Sequence, residues 1–437
     1  MLPPALGNPG PRHRLALTVP PGPRRVTDDG ERARFHVAAI GKALPPHRRP
    51  PVALRHLREI LVVKLDFIGD WVLTTPFLEN LRLNAPQARI TAVVLDRVFD
   101  LAFACPFVDR VISVSRAERR RVVFGAESPT TLAGFRDAYL GRAFDLAVVP
   151  RWDADFNGAL QIAFGSRAAA IVGFSEKSTP RKRQLNRGDD RFYTHALADG
   201  RLIHEADRDL FLIKAMRGRV ASRGVTVRYG AGDEARAERF LTESFGQNAG
   251  PLLAIAPFGS ELKKTLPADI LARVVRRLTN QFDLDVVVIG SPGNAEDAAP
   301  FVRDLGERAV SAAGPLGTRE TAALLARAAA FIGMDSGPAH IAAAVGTPVA
   351  VVFCHPANGS PDHTYAPERF APRGRHVQVI QPARATPPCV EGCEADEAHC
   401  ILALTEDVLR PQLERFVSAA LRTRSSSVSG RARARRL

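Results

Sequence analysis

The sequence predicts an α/β protein with two doubly wound parallel sheets. Short runs of β-branched and apolar residues alternate with helical stretches along most of the chain, which is typical of parallel sheets with helical crossovers. Some runs, such as VVVIG ending at Gly290, are apolar at nearly every position, as expected of strands covered on both faces. Hydrophobic residues make up 46% of the 437 residues, so the chain can bury a sizeable core.

Each half of the chain carries its own set of predicted strands. Those of the first half are Ile60–Leu65, Ile90–Leu95, Val111–Val114, Leu146–Val149 and Ala170–Gly173. Those of the second half are Leu252–Ala256, Asp285–Ile289, Phe331–Met334, Val349–Phe353 and Val377–Ile380. A further strand is expected at Val225–Arg228, whereas no strand signal is clear between Lys177 and Ala221.

Two helices are predicted from apolar positions at helical spacing. The buried face of the first consists of Ile270, Leu271, Val274, Val275 and Leu278. The second runs from Glu406 to about Leu421, and its Pro411 predicts a kink or a later start. Its apolar stripe consists of Leu409, Leu413, Phe416, Val417 and Ala420.

The net charge of +14 first suggests nucleic acid as a partner, but the charge is confined to the two ends. Residues 1–58 carry a net charge of +8 and residues 421–437 a net charge of +6, so residues 59–420 are neutral. Composition predicts disordered basic tails over residues 1–52, which are rich in proline, and 423–437. Such tails either keep the protein in solution or attract it weakly to an anionic surface, membrane lipid or nucleic acid.

No run of about 18 uncharged apolar residues occurs and no signal peptide is visible, so a cytoplasmic location is expected. Five cysteines in a chain of this length do not form a disulfide scaffold. Cys389, Cys393 and Cys400, with His399, have the residue types of a structural zinc site. Their spacing lacks a C-x2-C pair, and joint ligation by the adjacent His399 and Cys400 would be strained. The favoured interpretation is free thiols or a redox-labile pair, and no metal site is predicted.

The loop after the first strand contains Asp66, Gly69 and Asp70. Gly69 permits a tight turn, and Asp70 falls where a helix would begin. A carboxylate at that position is either a plain helix cap or a general base at a ligand site. The loop lacks a G-x-G-x-x-G pattern, which counts against a dehydrogenase.

The segment FIGMDSGPAHIAAAVGTPV contains a second strand-to-helix loop. The strand ends at Met334, Asp335 and Ser336 follow, and Gly337 lets the backbone turn. Pro338 suits the first position of the Ala-rich helix that is predicted next. The unpaired N–H groups and positive end of such a helix favour phosphate, and His340 adds a donor one turn in. The alternative is a capped helix with a core histidine.

Two further loops are weaker signals. Lys263 and Lys264 follow the strand that ends at Ala256, and either neutralise a phosphate or are solvated surface lysines. After the next strand, either Glu296 or Asp297 accepts from a ribose hydroxyl, or the segment is a solvated helix start.

Taken in this order, the loops resemble the family 9 glycosyltransferases, which include the ADP-heptose:lipopolysaccharide heptosyltransferases. The family's K-x-x-x-x-G-D, P-x-x-S…K-x-[WL]-P, G-x-P-x-x-x-E and D-[ST]-G-x-x-H motifs each have a match here. The matching residues are Lys64, Gly69, Asp70, Pro257, Ser260, Lys264, Leu266, Pro267, Glu296, Asp335, Ser336, Gly337 and His340. The resemblance runs from about residue 59 to 421, and the first and last motifs are the specific ones.

The resemblance implies a GT-B fold, in which two Rossmann-like domains face each other across a cleft. The expected parts are an acceptor domain over 53–247, a donor domain over 248–404, and a C-terminal helix over 405–422 that crosses back. Asp70 would be the general base. The donor contacts would be Ser260, Lys264, Glu296, Asp335, Ser336, Gly337 and His340.

The function expected on this basis is inverting, metal-independent transfer of a sugar, possibly heptose. The donor is a nucleoside-diphosphate sugar acting as co-substrate, with no further cofactor, and the acceptor is a glycan or glycolipid of the bacterial envelope. The alternatives are a nucleotide-sugar-binding protein without transfer activity and a sugar-nucleotide epimerase of the same fold. A monomer with no specific nucleic acid partner is expected. Its location is cytoplasmic, with peripheral contact to the inner face of the membrane through the basic tails.

Overall fold

The structure, a computed structural model, describes residues 53–115, 136–141, 143–247 and 250–434, with only the backbone at residue 138 and beyond Thr423. The chain divides into two compact units. The first contains the described residues up to Phe67, together with Pro76–Arg201 and Asp207–Arg223. The second contains Ile68–Thr75, Leu202–Ala206 and the chain from Gly224 onward. The predicted tail over 1–52 lies outside the described residues.

The first unit is built on a parallel six-stranded sheet in the order β3-β2-β1-β4-β5-β6. Its strands are β1 (Glu59–Lys64), β2 (Arg89–Leu95), β3 (Arg110–Val114), β4 (Leu146–Val149), β5 (Ala170–Phe174) and β6 (His195–Leu197). Ile60 of β1 is in register with Ile90 of β2 on one side and with Leu146 of β4 on the other. The central strands are buried along their length, as the continuous apolar runs predict.

The second unit is built on another parallel six-stranded sheet, in the order β12-β11-β10-β7-β8-β9. Its strands are β7 (Leu252–Ala256), β8 (Asp285–Val288), β9 (Ala309–Ser311), β10 (Ala330–Met334), β11 (Val349–Val352) and β12 (Val377–Ile380). Phe331 of β10 is in register with Ala254 of β7 and with Val349 of β11. Both sheets therefore have the doubly wound strand order, and the predicted α/β fold class is confirmed.

Every strand predicted in the two halves is present, with ends that differ by one residue at most. The strands β6 and β9 were missed because they are three residues long and lie at sheet edges, where little apolar surface is covered. The prediction of a strand at Val225–Arg228 is wrong, because the structure has no strand there. There the N–H of Thr226 donates to the hydroxyl of Thr75 at 2.8 Å rather than to a neighbouring strand.

The helices that cover the sheets are mostly short. They are α1 (Ile68–Asn84), α2 (Phe99–Phe103), α3 (Ala159–Gly165), α4 (Pro180–Leu185), α5 (Glu205–Arg208), α6 (Leu210–Ala215), α7 (Ala231–Phe245), α8 (Ala268–Phe282), α9 (Ala295–Leu305), α10 (Thr318–Arg327), α11 (Gly337–Ala344), α12 (Pro367–Phe370) and α13 (Glu406–Ala434). The predicted buried face of α8 is confirmed, with Leu271, Val274, Val275 and Leu278 inside the second core. Among the described residues, no helix is both long and apolar enough to cross a bilayer.

The last helix, α13, begins at Glu406 as predicted, with Pro411 inside it. Its apolar stripe is buried in the core of the second unit, and Glu406 pairs with Arg273 and Arg277 of α8 at 3.0 and 2.8 Å. The helix runs through Ala434, so the end expected near Leu421 is too early. No proline follows Pro411, and the arginines of this segment have high helix propensity.

Candidate active site

The candidate site of the second unit lies where the direction of strand addition reverses. The strands β7 and β10 are neighbours there, although β8 and β9 come between them in the sequence. In open parallel sheets, ligands bind beyond the carboxyl ends of the two strands at such a switch point. The loop after β7 carries Lys264, and the loop after β10 carries Asp335. The strand order thus explains why these two sequence motifs meet.

Lys264 and Asp335 form a buried ion pair, with 2.5 Å between Nζ and Oδ2. Burial alone would lower the pKa of Lys264, but the carboxylate of Asp335 outweighs burial and raises this pKa above its usual value. The solvated-surface interpretation of Lys264 is therefore wrong. Gly259 fixes the loop, because a Cβ there would lie 2.8 Å from the carbonyl oxygen of Lys264. The result is an ammonium at the switch point whose charged form is favoured by Asp335.

Asp335 lies two residues before α11, whose N-terminus has no side-chain cap. The hydroxyl of Ser336, the residue before the helix, donates instead to the carbonyl of Met334 at 3.2 Å. Pro338 occupies the first turn, where its missing N–H costs nothing. The side-chain cap of the alternative interpretation is therefore absent, whereas its core histidine is present, since His340 is buried. The first-turn N–H groups are suited to an anion.

His340, one turn into α11, is 5% exposed. Burial lowers the pKa of His340 to about 4, against the opposing charge of Asp335, so the imidazole is neutral at pH 7. Its Nε2 lies 4.0 Å from Oδ1 of Asp335. Its Nδ1 is buried and has no hydrogen-bond partner among the described residues.

Asp70 lies in the first turn of α1, in a segment that belongs to the second unit. This turn packs directly on α11. A Cβ on Gly69 would lie 2.8 Å from Cδ2 of His340, and a Cβ on Gly337 would lie 2.9 Å from Cβ of Ile68. Both glycines are therefore required by close approach rather than by a left-handed turn. The two motifs that the sequence separates widely form one packed surface.

The lysine that opens the first motif, Lys64, has a different role. It is buried at the end of β1 in the first unit, where Nζ donates to the carbonyl of Pro150 at 2.7 Å and pairs with Asp66 at 3.1 Å. Asp66 also pairs with Arg151 at 3.0 Å. Burial would raise the pKa of Asp66, but the charges of Arg151 and Lys64 lower it. This network supports the fold of the loop.

Two predicted donor contacts, Ser260 and Glu296, are exposed. Ser260 lies in the loop that carries Lys264, and Glu296 lies in the first turn of α9, after β8. Within the described part of the chain, no hydrogen bond or ion pair joins Glu296 to Lys264, Asp335 or His340. Their roles therefore remain predictions.

Sequence reasoning missed two residues beside this site. The ring of Tyr365 lies 5.4 Å from Nζ of Lys264, and its hydroxyl donates to Glu261 at 3.0 Å. His204 lies close enough to His340 for its charge to help lower the pKa of His340. Tyr365 follows β11, the next strand of the sheet, and only that loop position could have pointed to it. No sequence pattern around His204 indicated that it lies near the site.

The three C-terminal cysteines and His399 are also brought together. Their ligand atoms all lie within 4.8 Å of one another. The side chains of the adjacent His399 and Cys400 therefore lie close together, although joint ligation by them was expected to be strained. The backbone at His399 (φ −140°, ψ −88°) is neither helical nor extended, and it turns the two side chains to the same side.

Comparison with known proteins agrees with this geometry. The sequence profile of glycosyltransferase family 9 (heptosyltransferase) matches residues 168–398. A Haemophilus influenzae protein, named provisionally as a glycosyltransferase, is 25% identical over 310 residues, which cover 67% of this chain and 81% of that protein.

Solved structures share the fold. The glycosyl transferase family 9 structure from Veillonella parvula has a TM-score of 0.67 at 20% identity, covering 83% of this chain and 98% of that one. The Escherichia coli heptosyltransferase WaaC with ADP has a TM-score of 0.59 at 17% identity, covering 82% and 99%.

The two doubly wound parallel sheets match the GT-B architecture of the solved heptosyltransferase structures, and the family's sequence profile shows that this protein is a glycosyltransferase. More narrowly, the chain belongs to glycosyltransferase family 9 and is similar to heptosyltransferases, because the family's sequence profile spans more than half of it.

Proposed function

We propose that this protein transfers a sugar, heptose being the first candidate, from a nucleoside-diphosphate donor to a glycan or glycolipid acceptor of the bacterial envelope. Transfer inverts the anomeric carbon and uses no metal ion at the reacting atoms. The ADP complex of the E. coli heptosyltransferase makes ADP the first nucleotide to test. The domain bounds at 53–247 and 248–404 remain part of this proposal, with residues 248–249 outside the described ones.

The observation that carries the proposal is the packing of Gly69 on His340. It brings the first turn of α1, with Asp70, beside the first turn of α11. Sugar transfer needs a base near the acceptor hydroxyl and positive charge near the leaving diphosphate. The contact joins a candidate for each need within one compact unit.

In the proposed reaction, the acceptor oxygen forms a bond to the anomeric carbon while the bond from that carbon to the diphosphate oxygen breaks. The acceptor's proton passes to the carboxylate of Asp70. The N–H groups of α11 and the ammonium of Lys264 stabilise the charge that develops on the diphosphate. Attack opposite the leaving group inverts the configuration.

The remaining donor contacts are proposed from their loops. Ser260 shares the loop of Lys264, and Asp335 orients that lysine at 2.5 Å. Glu296 follows the strand next to β7 and would accept from a ribose hydroxyl. Neutral, buried His340 would offer a hydrogen bond without competing for a proton at pH 7.

Contact with the membrane is proposed through the charged ends. Residues 59–420 are neutral, whereas residues 1–58 and 421–437 carry all of the net +14 charge. A lipid-linked acceptor would be met at the inner face of an anionic membrane, about 1 kcal/mol being gained per basic residue near the surface. Sedimentation with phosphatidylglycerol vesicles, using the full chain and a variant lacking residues 1–52, tests this location.

The test of the base is Asp70→Asn, with Glu79→Gln on the same helix as the control. Asp70→Asn should lower kcat by about 10²–10⁴-fold while KM for the donor changes little, because the base acts only in the transition state. Circular dichroism checks that both variants fold. NMR of the product from ADP-heptose reports the anomeric configuration.

Full transfer by a folded Asp70→Asn variant would show that another group is the base. Retention of configuration would contradict the single-displacement reaction. Release of free sugar or of an isomerised donor, without a glycoside, would indicate the epimerase alternative instead.

A further inference from the structure

A cluster of three thiols and an imidazole lies outside the sugar-transfer chemistry. Cys389, Cys393, His399 and Cys400 lie between β12 and α13, and their ligand atoms are all within 4.8 Å of one another. The three cysteines are at most 9% exposed. None of them forms a disulfide. Buried cysteines often serve as small apolar side chains, but that role does not require three sulfurs and a ring nitrogen to converge.

Two of the distances within the cluster match those of tetrahedral zinc. With Zn–S near 2.3 Å and Zn–N near 2.05 Å, a sulfur and a nitrogen on one tetrahedral zinc ion lie about 3.55 Å apart. Sγ of Cys389 and Sγ of Cys400 each lie 3.5 Å from Nδ1 of His399. Both distances therefore agree with the sulfur–nitrogen distance expected for two ligands of one tetrahedral zinc ion.

The surrounding backbone supports thiolates. The N–H of Thr386 points to Sγ of Cys400, and the N–H of Glu394 points to Sγ of Cys389, each at 3.4 Å. Outer hydrogen bonds of this kind hold the ligands of metal sites in position and offset the negative charge of coordinated sulfur.

The segment that carries the cluster also needs a stabilising element. From residue 381 to residue 399 the described chain has no helix or strand, which is longer than most irregular loops in compact domains. A metal ion that joins several points of such a loop reduces its conformational freedom. Glu397 and Ala398 of this segment line a cavity with Leu262 and Leu266, beside the loop of Lys264.

We propose that Cys389, Cys393, His399 and Cys400 form a closed structural site for one Zn²⁺ ion, which stabilises the loop beside Lys264. On binding, each of the three thiols releases its proton to solvent and becomes a thiolate ligand. Four protein ligands leave no open position for water, so the ion has no part in sugar transfer.

The first test is the metal content of the full chain, produced with zinc in the medium and dialysed against metal-free buffer. Elemental mass spectrometry should find about one zinc ion per chain in the wild type. Cys393→Ser should retain less than about a fifth of that zinc and should melt at a lower temperature. Cys105→Ser, a buried cysteine of the first unit, should keep full zinc content.

X-ray absorption on the wild type keeps the test decisive if Cys393→Ser does not fold. Three sulfur ligands near 2.3 Å and one nitrogen near 2.05 Å are expected around zinc. A wild-type chain with less than about 0.1 zinc, or a disulfide within the cluster by mass spectrometry, would overturn the site. Iron in place of zinc would contradict the assigned ion, and equal zinc in Cys393→Ser would contradict the assigned ligands.

Discussion

The two sheets have the same strand order, yet their switch points hold charge in different ways. At the first, at the ends of β1 and β4, Asp66 pairs with both Lys64 and Arg151, and Lys64 also donates to the carbonyl of Pro150. At the second, beyond β7 and β10, Lys264 pairs with Asp335, but α11 has no side-chain cap and Nδ1 of His340 has no described partner.

The difference indicates how one topology serves two purposes. A doubly wound sheet creates a candidate ligand site wherever its strand order reverses. In the first unit that place is closed by groups that satisfy one another, which supports the fold. In the second unit donors remain that a ligand can use. The comparison yields three experiments.

The largest effect is expected from exchanging each switch-point lysine. Lys64→Met should lower the free energy of unfolding by about 3 kcal/mol, because it breaks a buried pair, while the stabilisation by ADP stays intact. Lys264→Met also leaves a buried carboxylate unpaired, but it should in addition abolish the stabilisation by ADP. Thermal melting with and without ADP measures both quantities.

If Lys264→Met kept the full ADP-induced shift, the second switch point would not bind the diphosphate through this lysine. If Lys64→Met lost that shift while remaining folded, the two switch points would not differ as described. Double replacement by Lys264→Met and Asp335→Asn should recover stability but not the response to ADP.

The next effect concerns pH. The pKa of His340 falls from about 6.5 in the unfolded chain to about 4 in the folded one. Between these values the unfolded chain binds a proton that the folded chain does not. The stability contributed by the neutral imidazole is therefore fully present above pH 6.5 and is lost as the pH falls toward 4. The loss should reach at most about 3 kcal/mol. Replacing His340 by Gln should flatten this part of the stability profile.

Urea unfolding between pH 4 and 7 measures the slope. His376→Gln, which removes an exposed histidine, serves as the control and should leave the profile unchanged. An unaltered profile for His340→Gln would mean that His340 titrates normally and is not buried as described.

The smallest effect tests the packing of the two motifs. Gly69→Ala should cost about 1–3 kcal/mol, because its Cβ would lie 2.8 Å from His340. In a His340→Ala background the same change should cost much less, and the difference is the coupling energy. Gly232→Ala, in α7 with open space around it, should be neutral or slightly stabilising.

Additive effects of Gly69→Ala and His340→Ala would contradict the contact between α1 and α11. They would also remove the observation on which the proposed function rests.

Most of the fold followed from periodicity alone. Strands such as Leu146–Val149 and Leu252–Ala256 are continuous apolar runs, so their ends coincide with the edges of the runs. Two segments were mispredicted because their structure depends on neighbouring parts of the chain, which a local pattern does not describe. They are the edge strand His195–Leu197, which was missed, and Val225–Arg228, which is not a strand.

The site was predictable in its parts but not in its contacts. The residue types at Asp70, Lys264 and Asp335 suggested the proposed chemistry, and the family resemblance suggested the roles proposed for them. The close approach of Gly69 to His340 joins positions far apart in the chain, and a backbone turn at His399 decides whether the cysteines converge. Neither is encoded in a short segment.

The burial of the Lys264–Asp335 pair has a consequence for ionic strength. Counter-ions screen charges in open solvent over about 8–10 Å at physiological salt but reach a buried pair poorly. Donor binding at a site whose lysine side chain is 12% exposed should therefore change little between low and high salt. The proposed vesicle binding through the basic ends should weaken steeply over the same range. A salt titration would thus separate recognition of the substrate from attachment to the membrane.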